Sequence, residues 1–163
     1  MRTIGTGLAA ALLLAGCGGS DSGTIETEDG TVEYDADQSG DEAQIRFTDK
    51  DGNETVINSG TDVAASLPDG FTVYPGAQVA SSSVMSGADG QGSMTVMTSS
   101  DSPEEMVAHY RQQAEAAGFV IEMEMTTNDT MMIGGEGPDG QAFSFNASRS
   151  GEESSGMLMV GRN

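Results

Sequence analysis

The sequence predicts an α+β fold: an antiparallel sheet of about six strands with one helix, about 102–117, packed on one face. Three observations carry this. Ser102-Pro103-Glu104-Glu105 is a complete helix start. The apolar residues on either side of that helix recur with the two-residue period of strands. Gly or Asp-Gly separates most of the strand-like runs. The expected order over 61–163 is β-β-α-β-β-β-β, preceded by a short β-hairpin region.

Each element has its own reason. Leu67 to Ala77 is extended and turn-rich, with Pro68-Asp69-Gly70 and Pro75-Gly76 as breakers. Val79 to Ser86 and Ser93 to Thr98 read as strands around the turn Gly87 to Gly92. In the helix, Ser102 is the N-cap, Pro103 takes the first helical position and Glu105 completes a capping box. Met106, Val107, Tyr110, Ala114 and Ala117 make an apolar stripe, and Gly118 closes the helix. Strands then follow over 119–126, 130–135, 141–148 and 156–161. Upstream, Thr31 to Tyr34, Ala43 to Phe47 and Thr55 to Ile57 are three short apolar fragments, marginal alone unless they dock.

Composition narrows the function. The chain has 163 residues, with 6 Lys+Arg against 26 Asp+Glu and a net charge of −20. Nucleic acid is excluded as a partner, because binding phosphates needs clustered cations. Docking on anionic lipid by charge is excluded for the same reason. Self-repulsion of so acidic a chain points to a monomer.

The first residues carry an address. Arg2 precedes the short apolar run Leu8 to Leu14, too short to cross a hydrocarbon core of roughly 30 Å, so it reads as an export signal. Leu14-Ala15-Gly16-Cys17 resembles the lipobox of bacterial lipoproteins at all four positions. That resemblance implies a covalent lipid on Cys17, cleavage before it and a membrane-anchored envelope protein. Gly18, where Asp would mark inner-membrane retention, points to the outer membrane facing the periplasm. The resulting division is a signal peptide over 1–16, a lipidated flexible tether over 17–30, an acidic hairpin region over 31–60 and a compact domain over 61–163.

Leu67 to Ala77, Asp101 to Tyr110 and Ala117-Gly118-Phe119 are also similar to a module of small bacterial lipoproteins and envelope proteins without assigned activity. The likeness spans about 65–161. It implies the fold and an envelope context, and it brings no catalytic residues with it.

Catalysis is poorly supplied. His109 is the single histidine, Cys17 the single cysteine, and no Gly-x-Ser-x-Gly elbow occurs. Glu122 and Glu124 alternate with Ile121, Met123 and Met125, which places the carboxylates on the outer, solvated face of a strand. Two metal readings remain. Asp35, Asp37, Ser39 and Asp41 match the first ligand positions of a Ca²⁺ loop, with Gly40 at the turn. Glu42 and Arg46 depart from it at the aliphatic and closing-carboxylate positions. Asp49 to Asn53 is a shorter echo of the same pattern. The chain has 11 Met, all but Met1 downstream of Cys17. They read as core packing, with Cu(I) binding by soft thioethers as the alternative. The expected function is a non-enzymatic, lipid-anchored interaction or structural module whose partner would be another envelope protein; metal binding is the other reading.

Overall fold

A computed structural model describes residues 21–36, 42–60, 63, 65–87 and 90–162. The described residues form one antiparallel sheet with the single helix α1 (Pro103–Ala116) packed against part of it. The α+β class expected from the sequence is therefore observed. The strand number is not: the sheet has ten strands, β1 (Asp21–Thr27), β2 (Gly30–Ala36), β3 (Glu42–Asp49), β4 (Glu54–Gly60), β5 (Gln78–Gly87), β6 (Gly90–Ser99), β7 (Val120–Thr127), β8 (Thr130–Glu136), β9 (Gln141–Ser150) and β10 (Glu153–Arg162). Six strands precede the helix instead of a short hairpin and two.

The correction has a physical cause. The upstream fragments do not form a separate hairpin, because β4 pairs with β5 from Glu54↔Ser86 to Ser59↔Ser81 and so joins them to the same sheet. Residues 21–27, expected in a flexible tether, are β1. Each residue of β1 has a pairing partner in β2, from Asp21↔Ala36 to Thr27↔Gly30, and those ladder bonds oppose its ordering entropy. Gly23 also sits beneath the Tyr34 ring, in the space a Cβ would fill. Spatially the sheet runs β1-β2-β3-β4-β5-β6-β10-β9-β8-β7.

Helix α1 follows its sequence signals closely. Ser102 accepts from the Glu105 backbone N–H at 3.3 Å, and the Glu105 carboxylate accepts from the Ser102 N–H at 3.1 Å. At the other end Gly118 adopts φ +89, and the Phe119 N–H reaches back to the Ala114 carbonyl at 2.9 Å. Met106, Val107, Tyr110 and Ala114 are buried as the stripe predicts. They meet Met97, Ile133, Phe143, Phe145, Ala147, Leu158 and Val160 of the sheet, with Phe71, Tyr74 and Phe119 closing the sides. The Tyr110 and Phe145 ring centroids are 4.2 Å apart. Among the described residues this is the core, and it covers one face of the β6–β10 half.

Candidate functional site: an open sheet face

Residues paired directly across an antiparallel ladder share a face. Following the registers outward from Met94 gives one continuous row: Tyr34, Ile45, Ile57, Ser83, Met94, Met159, Ser144, Gly134, Met123. This row lies opposite the helix. The next row on the same face joins Ile25, Val32, Phe47, Thr55, Met85, Gly92, Gly161 and Ala142. No described element covers this face. Its large apolar side chains stand in solvent: Ile25 is 53% exposed, Ile45 42%, Met125 53% and Met159 42%.

The two faces of β1–β4 differ in chemistry. On the helix side Arg46 is ion-paired with Glu54 at 2.7 Å and lies 3.8 Å from Glu33. On the open side stand Ile25, Val32, Tyr34, Ile45, Phe47 and Ile57, with small Gly, Ala, Thr and Ser residues between them. Among the described side chains, the charged ones in register with the open face are Asp49, Glu136 and Glu153, each at a strand end. A chain of net charge −20 has thus kept its acid off one broad surface. At one end of β5, β6, β9 and β10 a shallow depression of about 510 Å³ lies over the small residues Gly92, Gly161 and Ala142, flanked by Met85 and Met159 and reaching Asn53, Gly87 and Gly140.

The methionines divide between two roles. Met97 and Met106 are fully buried, as core packing requires. Met85, Met123, Met125 and Met159 are 42–53% exposed on the open face, which corrects the reading of them as core. The strand β7 shows why the sequence misled. A bulge between Ile121 and Met123 breaks the alternation, so Ile121 packs on the core while Met123 and Met125 turn outward. Glu124 consequently lies on the helix side, where Arg111 pairs with it at 2.7 Å, not on the outer face expected of it.

The other singled-out residues resolve differently. Cys17, Asp37, Ser39 and Asp41 lie outside the described residues. Asp35 is in β2 on the charged side, paired with Gln44. Among the described residues no group of three or more His, Cys, Asp or Glu is placed to hold a metal ion. In the shorter echo, Asp49 serves its own turn: its carboxylate accepts from the Asp51 and Asn53 N–H groups, both at 2.9 Å, and from the Asn53 side-chain amide at 2.8 Å. The Asn53 side chain and backbone hold the Asp49 carboxyl below its ordinary range.

His109 is half-buried between rings, 5.1 Å from Tyr74 and 5.2 Å from Tyr110, and 2.8 Å from the Gln113 amide. Burial lowers its pKa from 6.5. Tyr74 donates to Asp101 at 2.8 Å, and burial, reinforced by that bond, pushes its hydroxyl up to about 12. Gln113 also bonds Thr72 through both its amide groups. These contacts fasten the 67–77 segment to the helix. They form a clasp of side chains bonded to one another.

A family model described as START domain-like matches residues 79–155, just under half of the chain. No curated protein and no solved structure matches it. The matched stretch begins in β5 and ends in the first residues of β10, so β1–β4 and their share of the open face lie beyond what this chain is similar to in that family.

Proposed function

We propose that this is a non-enzymatic lipoprotein of the cell envelope, anchored through Cys17 at the outer membrane on its periplasmic side, whose sheet serves as a docking face. The observation that carries the reading is the uncovered sheet face, on which large apolar side chains are exposed from β1 to β7 and the described charges lie only at strand ends. A sheet face of that kind is stable when another layer buries it, and exposed apolar areas of this size mark interaction sites. Asp21 is four peptide steps from Cys17, a reach of at most about 14 Å, so a lipid on Cys17 holds β1 close to the bilayer.

Two measurements in cells test it. Cys17→Ser should abolish incorporation of labelled fatty acid and release the chain from membranes. A photo-crosslinking residue at Ile45 should give adducts that the same residue at Glu33, on the charged side, does not. Retained labelling, or equal adducts from both faces, would remove the anchor or the docking face respectively.

A second reading rests on one specific placement. Met94 stands directly opposite Met159, with Met157 two residues along the same strand, so three thioethers share one patch. Such a set suits Cu(I). Native mass spectrometry with Cu(I) under reducing conditions tests it, and stoichiometric retention lost in Met94→Leu would favour this reading.

A further inference from the structure

We propose that the occupant of the open face is a second copy of this chain, packed face to face about a two-fold axis parallel to the strands and between β5 and β6. The inference rests on the docking reading and names its partner. It also replaces the monomer expected from charge alone.

The size pattern of the face is the first support. Such an axis lays strand positions in reverse order on one another, so β2 meets β8, β3 meets β9, β4 meets β10 and β5 meets β6. Several large residues then meet small ones, while Ile57 meets Met159, Ile25 meets Val120 and Val32 meets Glu136. Tyr34 falls on Gly134, Ile45 on Ser144, Phe47 on Ala142 and Met85 on Gly92. In the third row the sense reverses: Ala36 falls on Met132 and Ser59 on Met157. Alternation of large and small residues across facing positions is what interdigitates two sheets at about 10 Å. An isologous contact uses each of these pairs twice.

Area and charge agree. Ten strands spaced about 4.8 Å apart give a face on the order of 1,000 Å², against roughly 800 Å² per partner in a stable complex. A basic partner would call for acid on the face, and there is almost none. A copy of the same acidic chain requires its absence, because like charges would otherwise be buried together. The charged sides of the two β1–β4 blades end up outermost, separated by more than a Debye length of about 8 Å. Both Asp21 ends lie at the same end of the pair, as two anchors in one bilayer need.

The test uses the full chain in its own membranes. Ile45→Cys with Ser144→Cys in one chain should be joined to a second chain by a bis-maleimide spanning about 10 Å, the separation of packed sheets. Within one chain these positions are five strand steps apart, about 24 Å, beyond that reach. Covalent dimer from the double variant should exceed either single variant at least roughly tenfold, since a preformed contact makes the second thiol local. Ile57→Cys with Met159→Cys should behave alike, which guards against a folding defect in the first pair. Dimer from Ile45→Cys alone would overturn this axis, because a two-fold that brings Ile45 onto itself must pass beside β3 and not between β5 and β6. If neither double variant dimerises while the Ile45 photo-adduct persists, the second copy is refuted and docking stands. If the photo-adduct also fails, both fall.

Discussion

Replacing Tyr110 probes the join between helix and sheet. Its side chain is fully buried, its ring lies against Phe145, and its hydroxyl faces the Thr72 carbonyl at 3.1 Å and the Met97 sulfur at 3.2 Å. Tyr110→Phe keeps the ring and removes one neutral hydrogen bond, a loss of about 0.5–1.5 kcal/mol. Tyr110→Ala removes the ring as well and leaves a cavity under α1, a loss of about 3–5 kcal/mol. Against a total stability of roughly 5–15 kcal/mol, the second change takes a large share. In melting temperature it corresponds to a fall of roughly 6–20 °C for a chain of this size. Urea unfolding followed by far-ultraviolet circular dichroism reads both values, since the chain has no Trp to report by fluorescence. The slope with denaturant should stay constant while the midpoint moves. A Tyr110→Ala loss below about 1 kcal/mol would show that the helix does not hold the sheet through this ring.

Other expectations follow from the same contacts. Ser102→Ala should lower stability by about 0.5–2 kcal/mol, read in the same unfolding assay, through loss of the cap on α1. His109 has a folded pKa below its unfolded value of 6.5, so its neutral form favours the fold; that contribution is full above 6.5 and is lost as pH falls towards the folded value. His109→Gln should therefore flatten the stability profile on the acid side of 6.5, and an unchanged profile would contradict burial as the cause. Calcium should raise the melting temperature no more than its ionic strength does; a saturable rise abolished by Asp35→Ala would instead reveal a site, because tight binding stabilises by mass action.

Helix α1 was legible because its signals are local: Ser102, Pro103, Glu105 and Gly118 each act within one turn. The strands from β5 to β10 were legible from alternation and glycine punctuation for the same reason. The continuity of the sheet was not, since the pairing of Glu54 to Ser59 with Ser81 to Ser86 is set by contacts distant in sequence. Alternation in Ile45 and Phe47 gives a two-faced strand without saying which face a helix will cover. Met123 and Met125 could not be placed, because the bulge beside them reverses the phase that Ile121 sets. The open face, which carries the functional reading, arises from these three non-local choices together.

Methionine oxidation tests that face most directly. The chain carries its own probes: Met123, Met125 and Met159 on the open face, with Met97 and Met106 buried as internal references. Brief peroxide treatment of the dilute purified chain should oxidise the first three quickly and spare the references, since susceptibility follows exposure. In intact membranes Met123, Met125 and Met159 should slow towards the rate of Met97, because another layer covers them. Oxidation of these three at the same rate in membranes as in the dilute chain would contradict it.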